Sequence, residues 1–235
     1  MIRLDQCHIG YSSPVVTSQR LELSAGEVYV LTGRNGAGKS TLLKTITREV
    51  ALLSGEILVD HKPLNQISRA ELPRYISFVT AHFPPIDFLR TEEYIGLGRS
   101  PYTNFIGKLS EEDHRIVEQV IEQLGIQHLV GRFTSALSDG EKQLVAIAKA
   151  IAQESTCILL DEPTAFLDYS NKIHVIQLLL DVAKSLNKCI VFSSHDLELC
   201  LDNVSQFLVI NDQTAELEIL TSPDRKTLIA HAFSL

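Results

Sequence analysis

The sequence predicts an α/β fold in which a helical segment is inserted between the strands of one core. Two observations carry this prediction. From residue 157 onward, short apolar runs alternate with helical segments, and strand and helix in alternation imply a parallel sheet with right-handed crossovers. From about residue 85 to about residue 150, helical periodicity dominates instead. We therefore expect a two-lobed molecule rather than two independent domains.

The first 80 residues are rich in predicted strands. Runs of β-branched and aromatic residues bounded by Gly or Pro predict strands at 28–32, 56–59 and 75–79. The helical segment contains one well-marked helix, which begins with a capping box at Ser110 and ends at Gly125. Its apolar residues lie on one face, so it is predicted to be a surface helix of about four turns.

The last stretch of the chain alternates regularly. Strands are predicted at 157–160, 189–193 and 204–210, an amphipathic helix from about 171 to 187, and a short helix after Asp196.

The composition is that of a folded protein with an acidic balance. Of the 235 residues, 45% are hydrophobic and 21% are charged, and the mean hydropathy is +0.09. The 29 acidic residues exceed the 21 basic ones by 8, so the chain lacks the overall positive field that nonspecific binding to nucleic acid needs. We expect no nucleic-acid partner.

The apolar runs are far shorter than the roughly 20 residues needed to span a bilayer, and the N-terminus shows no secretory signal pattern. We therefore expect a cytosolic chain that does not itself cross a membrane. The four cysteines show no metal-ligand spacing, which favours reduced, buried thiols.

A phosphate-binding loop is predicted between the strand at 28–32 and the helix that follows it. Residues 33–41 fit the pattern Gly-x-x-x-x-Gly-Lys-Ser in the strand-loop-helix setting that it requires. Glycines let backbone N–H groups turn toward phosphate oxygens, and the helix N-terminus adds partial positive charge. Lys39 is predicted to reach the β and γ phosphates, and Ser40 to ligate magnesium. The predicted nucleotide-binding residues of this loop are Gly33, Asn35, Gly36, Ala37, Gly38, Lys39, Ser40 and Thr41.

Two carboxylates follow the apolar strand at 157–160. Asp161 and Glu162 are expected at the carboxyl edge of the sheet, where alternation points them in different directions. Asp161 can then hold magnesium, while Glu162 can orient or deprotonate the attacking water. His195 follows another strand and is predicted to lie at the same edge.

Further motifs resemble those of the ATP-binding subunit of ATP-binding-cassette (ABC) transporters. Residues 137–143 are similar to the family signature Leu-Ser-Gly-Gly-Gln, with Asp139 and Glu141 departing from it. Residues 165–168 resemble the D-loop, His195 the switch histidine, and Tyr11 the aromatic residue that stacks on adenine. Residues Tyr11 to His195 carry these motifs in the family order.

The resemblance implies a P-loop NTPase core with a parallel central sheet, an N-terminal antiparallel β subdomain and a helical subdomain. The core would comprise about 1–84 and 155–235, and the helical subdomain with the signature about 85–154, in one nucleotide-binding domain. The implied catalytic residues are Glu162, His195 and Lys39, with Ser40 and Asp161 as metal ligands.

The resemblance also implies ATP and Mg²⁺ as cofactors, and a head-to-tail dimer that encloses two ATP molecules. Tyr11, Ser138, Gly140 and Asp168 join the phosphate loop as implied nucleotide-binding residues. Ser138 and Gly140 lie on the helical lobe, so a second copy would supply them to the γ-phosphate. The implied partners are this copy, a polytopic permease and, indirectly, a substrate-binding protein, at the cytoplasmic face of the cell membrane.

Residues 98–102 and 109–113 are similar to stretches in the ATPases of importers for iron-siderophore complexes, haem and cobalamin. A metal-chelate importer is therefore the favoured function. The alternatives are an exporter ATPase, which shares every catalytic motif, a non-transport ABC ATPase acting on DNA or ribosomes, and a P-loop kinase or GTPase. A kinase or GTPase does not need the signature, and a non-transport ABC ATPase is disfavoured by the acidic balance and the lack of a second cassette.

One position departs from the family. Where the family usually has a glutamine that touches magnesium and the attacking water, the chain reads Thr80-Ala81-His82. Three interpretations compete: His82 substitutes, the Thr80 hydroxyl substitutes, or water fills the gap, which we favour. The groove that receives a permease helix is expected near Phe83 to Leu97, although these apolar side chains equally suit a core of the helical lobe.

Overall fold

The computed structural model describes residues 1–81 and 86–233. These residues contain ten strands and eight α-helices. The strands are Ile2–Gly10 (β1), Pro14–Leu23 (β2), Val28–Thr32 (β3), Leu52–Val59 (β4), Lys62–Pro63 (β5), Ile76–Val79 (β6), Cys157–Leu160 (β7), Cys189–Ser193 (β8), Gln206–Ile210 (β9) and Leu217–Thr221 (β10). The helices are Lys39–Ile46 (α1), Leu72–Tyr75 (α2), Thr91–Gly96 (α3), Glu111–Gln123 (α4), Asp139–Ala152 (α5), Tyr169–Ser185 (α6), Leu197–Asn203 (α7) and Arg225–Phe233 (α8).

The strands form two sheets. A six-stranded sheet has the order β10-β9-β3-β8-β7-β6, with parallel pairing from β9 to β6 and an antiparallel pair between β10 and β9. A four-stranded antiparallel sheet has the order β2-β1-β4-β5. This confirms the predicted fold class, except that the central sheet carries one antiparallel edge strand.

Successive side chains of β3 pack into two different apolar clusters. Val28 and Val30 belong to one apolar cluster, together with α5, α6 and the helical segment, while Tyr29 and Leu31 belong to a second cluster that includes α1 and the four-stranded sheet. Every residue of β3 is buried. Because successive side chains of a strand point to opposite faces, the six-stranded sheet is covered on both sides, as a parallel sheet requires.

The helical lobe contains α3, α4 and α5. Ser110 caps α4 as predicted, since its hydroxyl accepts from the Asp113 N–H. The Asp113 carboxylate in turn accepts from the Ser110 N–H, which completes a capping box. Beyond α4, Gly125 has a φ of 64°, the left-handed conformation typical of a helix stop. The lobe is joined to the core by Gln153, whose side-chain amide donates to the carbonyls of Pro73 and Ile76.

Several boundaries differ from the predicted ones. The helix expected from about 171 to 187 spans Tyr169–Ser185, because Asp168 is its N-cap. The strand expected at 204–210 begins at Gln206. The subdomain boundaries remain a prediction. All four cysteines are buried. Among the described residues, no helix has the length and apolar character needed to cross a membrane.

Candidate functional site

The phosphate loop lies between β3 and α1, as predicted. Its glycines adopt positive φ values, 153° at Gly33, 83° at Gly36 and 104° at Gly38. Gly38 is also packed closely, because a Cβ there would lie 2.7 Å from Cγ2 of Val16. Backbone conformation and packing therefore both require glycine at this position.

Lys39 is the first residue of α1, and its side chain folds back over the loop. Its Nζ donates to the carbonyl of Gly33 over 2.9 Å and to that of Arg34 over 3.2 Å. Burial lowers the pKa of Lys39, and the negative charges of Glu162 and Asp161 oppose this effect. The loop lysine and the two carboxylates thus belong to one electrostatic site.

Asp161 and Glu162 follow β7, and Ser193 at the end of the neighbouring β8 holds both. The Ser193 hydroxyl donates to Oδ1 of Asp161 over 2.7 Å and accepts from the Glu162 N–H over 2.8 Å. The Asp161 N–H donates to the carbonyl of Val79 at the end of β6. Three parallel strands therefore fix the acidic segment at their carboxyl ends.

Glu162 faces His195. Its buried Oε1 lies 3.0 Å from Nε2 of His195, a close contact that lacks hydrogen-bond geometry. Burial raises the pKa of Glu162, and His195 and Lys39 partly offset this rise. A carboxylate with a raised pKa beside an imidazole suits proton transfer.

Tyr11 lies in the turn between β1 and β2 and is 69% exposed. The start of β2 reaches the phosphate loop, because Val15 and Val16 are the side chains nearest to a Cβ built on Gly38. The exposed Tyr11 ring therefore lies in the turn that leads into the strand bordering the loop, which suits the predicted stacking role.

The signature segment begins α5 on the helical lobe. Exposed Ser138 caps this helix, and Glu141 completes the capping box by accepting from the Ser138 N–H over 2.7 Å. Glu141 also pairs with Arg132 at 2.6 Å. The departure from the family at Glu141 thus has a structural reason, and the spacing Ser-x-x-Glu could have predicted it.

Asp168 caps α6, accepting from the N–H and the side-chain amide of Asn171. Its segment touches the signature, because a Cβ on Gly140 would lie 3.3 Å from Cδ2 of Leu167. None of the hydrogen bonds found among the described residues joins Ser138 or Gly140 to the phosphate loop of the same chain. Ser138 and Gly140 thus lie at the start of α5 on the helical lobe, apart from the phosphate loop between β3 and α1.

The segment after β6 is only partly described. Thr80 and Ala81 directly follow the Val79 carbonyl that holds Asp161, whereas His82 and the predicted permease-contact residue Phe83 lie outside the described residues. Farther along, Phe88 is 89% exposed, and Leu89 packs against the core of the helical lobe.

Known proteins resemble this chain over most of its length. The ABC transporter family model matches residues 16–165. The achromobactin transport ATP-binding protein CbrD of Dickeya dadantii is 34% identical over 208 residues, covering 88% of this chain and 77% of that protein. The iron(3+)-hydroxamate import ATP-binding protein FhuC of Bacillus subtilis is 32% identical over 194 residues, covering 82% and 72%.

Two solved structures resemble the fold. An inward-facing transporter assigned to the metal-chelate ABC type gives a TM-score of 0.85 at 27% identity, covering 100% of this chain and 89% of that chain. A dimeric ATP-binding cassette bound to ADP and Pi, in a post-hydrolysis state, gives a TM-score of 0.78 at 24% identity, covering 95% and 99%.

Proposed function

We propose that this chain, which belongs to the ABC transporter family, binds and hydrolyses ATP to power the import of a metal chelate. Family membership makes it an ATP-binding and ATP-hydrolysing subunit, as its motifs predicted. One observation carries the chemistry: Lys39, Asp161, Glu162 and His195 form a single electrostatic site beside a phosphate loop. Phosphoryl transfer to water needs such a site, because positioning and charge stabilisation supply most of its catalysis.

Each side chain has a proposed role. Lys39 neutralises the β and γ phosphates, and the N–H groups of residues 33–41 surround them. Glu162 takes the proton of the attacking water, and the imidazole of His195 lies 3.0 Å from that carboxylate. Tyr11 stacks on the adenine ring.

The residues also suit magnesium. Mg²⁺ prefers oxygen ligands, and the chain offers the exposed Ser40 hydroxyl and the Asp161 carboxylate, whose Oδ1 already accepts from Ser193. The buried Oε1 of Glu162 has no hydrogen bond among the described residues, so its capacity to accept one is unused. When bound, the metal would neutralise charge on the β and γ phosphates.

A second copy completes the site in this proposal. The phosphate loop and the signature lie on different lobes, and Ser138 and Asp168 are both helix N-caps, where partial positive charge favours an anion. Head-to-tail pairing would bring the Ser138 and Gly140 end of α5 to the partner's γ-phosphate, in a site with little water. The solved cassette with ADP and Pi is likewise dimeric.

The names of the relatives support a proposal for the class of solute. FhuC imports iron(3+)-hydroxamate, and the solved transporter is assigned to the metal-chelate type, so we propose a chelated metal ion as the solute. The chain would act at the cytoplasmic face of the membrane, bound to a polytopic permease that a substrate-binding protein serves. The exposed Phe88 is a candidate permease contact, and Phe88→Asp should weaken complex formation with that permease.

Two measurements test the proposal. The purified chain should release phosphate from ATP in the presence of magnesium, and Lys39→Ala should lose nucleotide binding and hydrolysis, whereas Lys44→Ala on the same helix should keep both. Cells carrying Glu162→Gln should take up less of a radiolabelled ferric siderophore. Phosphate release by Lys39→Ala at the wild-type rate would contradict the ATPase site, and unchanged uptake would contradict the solute class.

A further inference from the structure

The residue after the switch histidine is held by a lysine from another helix. Nζ of Lys172, on α6, lies 2.6 Å from Oδ2 of Asp196, and the two side chains are 20% and 43% exposed. Lys172, His195 and Asp196 line one cavity of about 430 Å³. The ion pair is therefore adjacent to the imidazole that faces Glu162.

The Asp196 carboxylate pairs with Lys172 and does not cap its own helix. Asp196 is the N-cap of α7, where aspartate usually accepts from the N–H groups of the first turn. Here its side chain makes no capping hydrogen bond, and the Asp196 N–H donates to the Ser194 hydroxyl. The direction of this carboxylate is thus set by Lys172 and not by its own helix.

Lys172 also belongs to the turn that Asp168 begins. Its N–H donates to the Asp168 carbonyl over 2.9 Å, and the Asp168 side chain caps the same turn through Asn171. A backbone hydrogen bond thus joins Lys172 to Asp168, and the ion pair joins Lys172 to Asp196. Asp196 is the chain neighbour of His195, whose Nε2 lies 3.0 Å from Oε1 of Glu162.

We propose that Lys172 is a positioning residue, which holds the backbone at His195 through Asp196 and thereby links the segment at Asp168 to the catalytic carboxylate. The inference rests on the proposed function. Lys172 itself touches neither Glu162 nor the phosphate loop in the contacts found among the described residues.

The test measures steady-state ATP hydrolysis by the purified full chain. Lys172→Met should lower kcat by about threefold to thirtyfold with little change in KM for ATP, the range expected for a residue that acts through its neighbours. Lys172→Arg, which keeps the charge, should restore most of the rate. The matched control is Lys184→Met, in the exposed last turn of the same helix, and it should leave kcat unchanged.

A second experiment tests whether the effect passes through the histidine. In a His195→Ala background, Lys172→Met should cause little further loss, because the group that it positions is gone. Hydrogen exchange of the backbone amides at 194–197, measured without nucleotide, should be faster in Lys172→Met and unchanged in Lys184→Met. An equal loss in both backgrounds, an unchanged kcat or unchanged exchange would overturn the inference. If the wild-type chain released no phosphate, it would be the proposed function that fails.

Discussion

Arg99 and Asp113 form a buried ion pair inside the helical lobe, with 2.9 Å between Nε of Arg99 and Oδ1 of Asp113. The same guanidinium donates to the Ala152 carbonyl and to Glu154, and it lies over the Tyr102 ring. The segment 98–102, which resembles a stretch of metal-chelate importers, thus ties α4 to the C-terminal end of α5. Its role in this chain is architectural, whatever solute is carried.

This pair makes the stability of the protein depend on pH. The Ser110 hydroxyl, with Arg99 beside it, lowers the pKa of Asp113 from 3.8 to about 2. Because the folded-state pKa is the lower one, the stabilisation is complete above about pH 4 and is lost as the pH falls toward 2. Asp113→Asn should lower the free energy of unfolding at pH 7 by about 2–4 kcal/mol, since it leaves a buried charge with a weaker partner.

Urea denaturation at two pH values checks this prediction. The difference between the wild type and Asp113→Asn should be about 1 kcal/mol smaller at pH 3 than at pH 7, because Asp113 gains its proton on unfolding at pH 3. Glu118→Gln, in the exposed part of the same helix, should stay within about 0.5 kcal/mol of the wild type. A difference that is the same at both pH values would contradict the assigned pKa.

The second prediction concerns the proposed general base. Glu162→Gln should lower ATP turnover by roughly 10²- to 10⁴-fold, the usual contribution of a general base, and should keep nucleotide binding. Phosphate release and equilibrium binding of a fluorescent nucleotide measure the two properties. Exposed Glu22 on β2 supplies the control, since Glu22→Gln should hydrolyse ATP like the wild type. Near-normal turnover in Glu162→Gln would show that another group activates the water.

The third prediction concerns the second copy. With ATP, Glu162→Gln should form a particle of twice the 26.1 kDa monomer mass in light scattering, because bound nucleotide is no longer consumed. Adding Ser138→Arg should keep the chain monomeric, since a bulky side chain at the N-cap of α5 would block the facing phosphate loop. A monomer that persists in Glu162→Gln at high protein concentration would count against the ATP sandwich.

The fourth prediction concerns Ala81, at the position where the family has glutamine. Since Ser40 and Asp161 are the proposed metal ligands, Ala81→Gln should change basal turnover by at most about tenfold, or about 1.4 kcal/mol. His82→Ala should have a smaller effect. Basal and permease-stimulated ATPase rates test both, and a collapse of activity in His82→Ala would make that histidine the functional substitute.

Local signals predicted much of this structure. Ser110 through Gly125 carry the start, face and end of a helix within 16 residues, and β7 is an uninterrupted apolar run before two acids. Contacts between segments far apart in the chain have no comparable local pattern in the sequence. Lys172 binds Asp196, 24 positions later in the sequence, and Arg99 binds Glu154, 55 positions later. Only the folded chain brings these side chains together. Ser193 was missed for the same reason, because its hydroxyl matters only when β7 and β8 pair.

The backbone at Glu162 has a φ of 50°, a left-handed conformation that costs a side chain about 1–2 kcal/mol and glycine almost nothing. Two hydrogen bonds retain it, one from the Glu162 N–H to Ser193 and one from the Ala165 N–H to the Glu162 carbonyl. By conformational preference alone, glycine is the residue best suited to this position. Keeping a carboxylate there exchanges thermodynamic stability for catalytic competence, so a selection for heat resistance alone would tend to remove the proposed base.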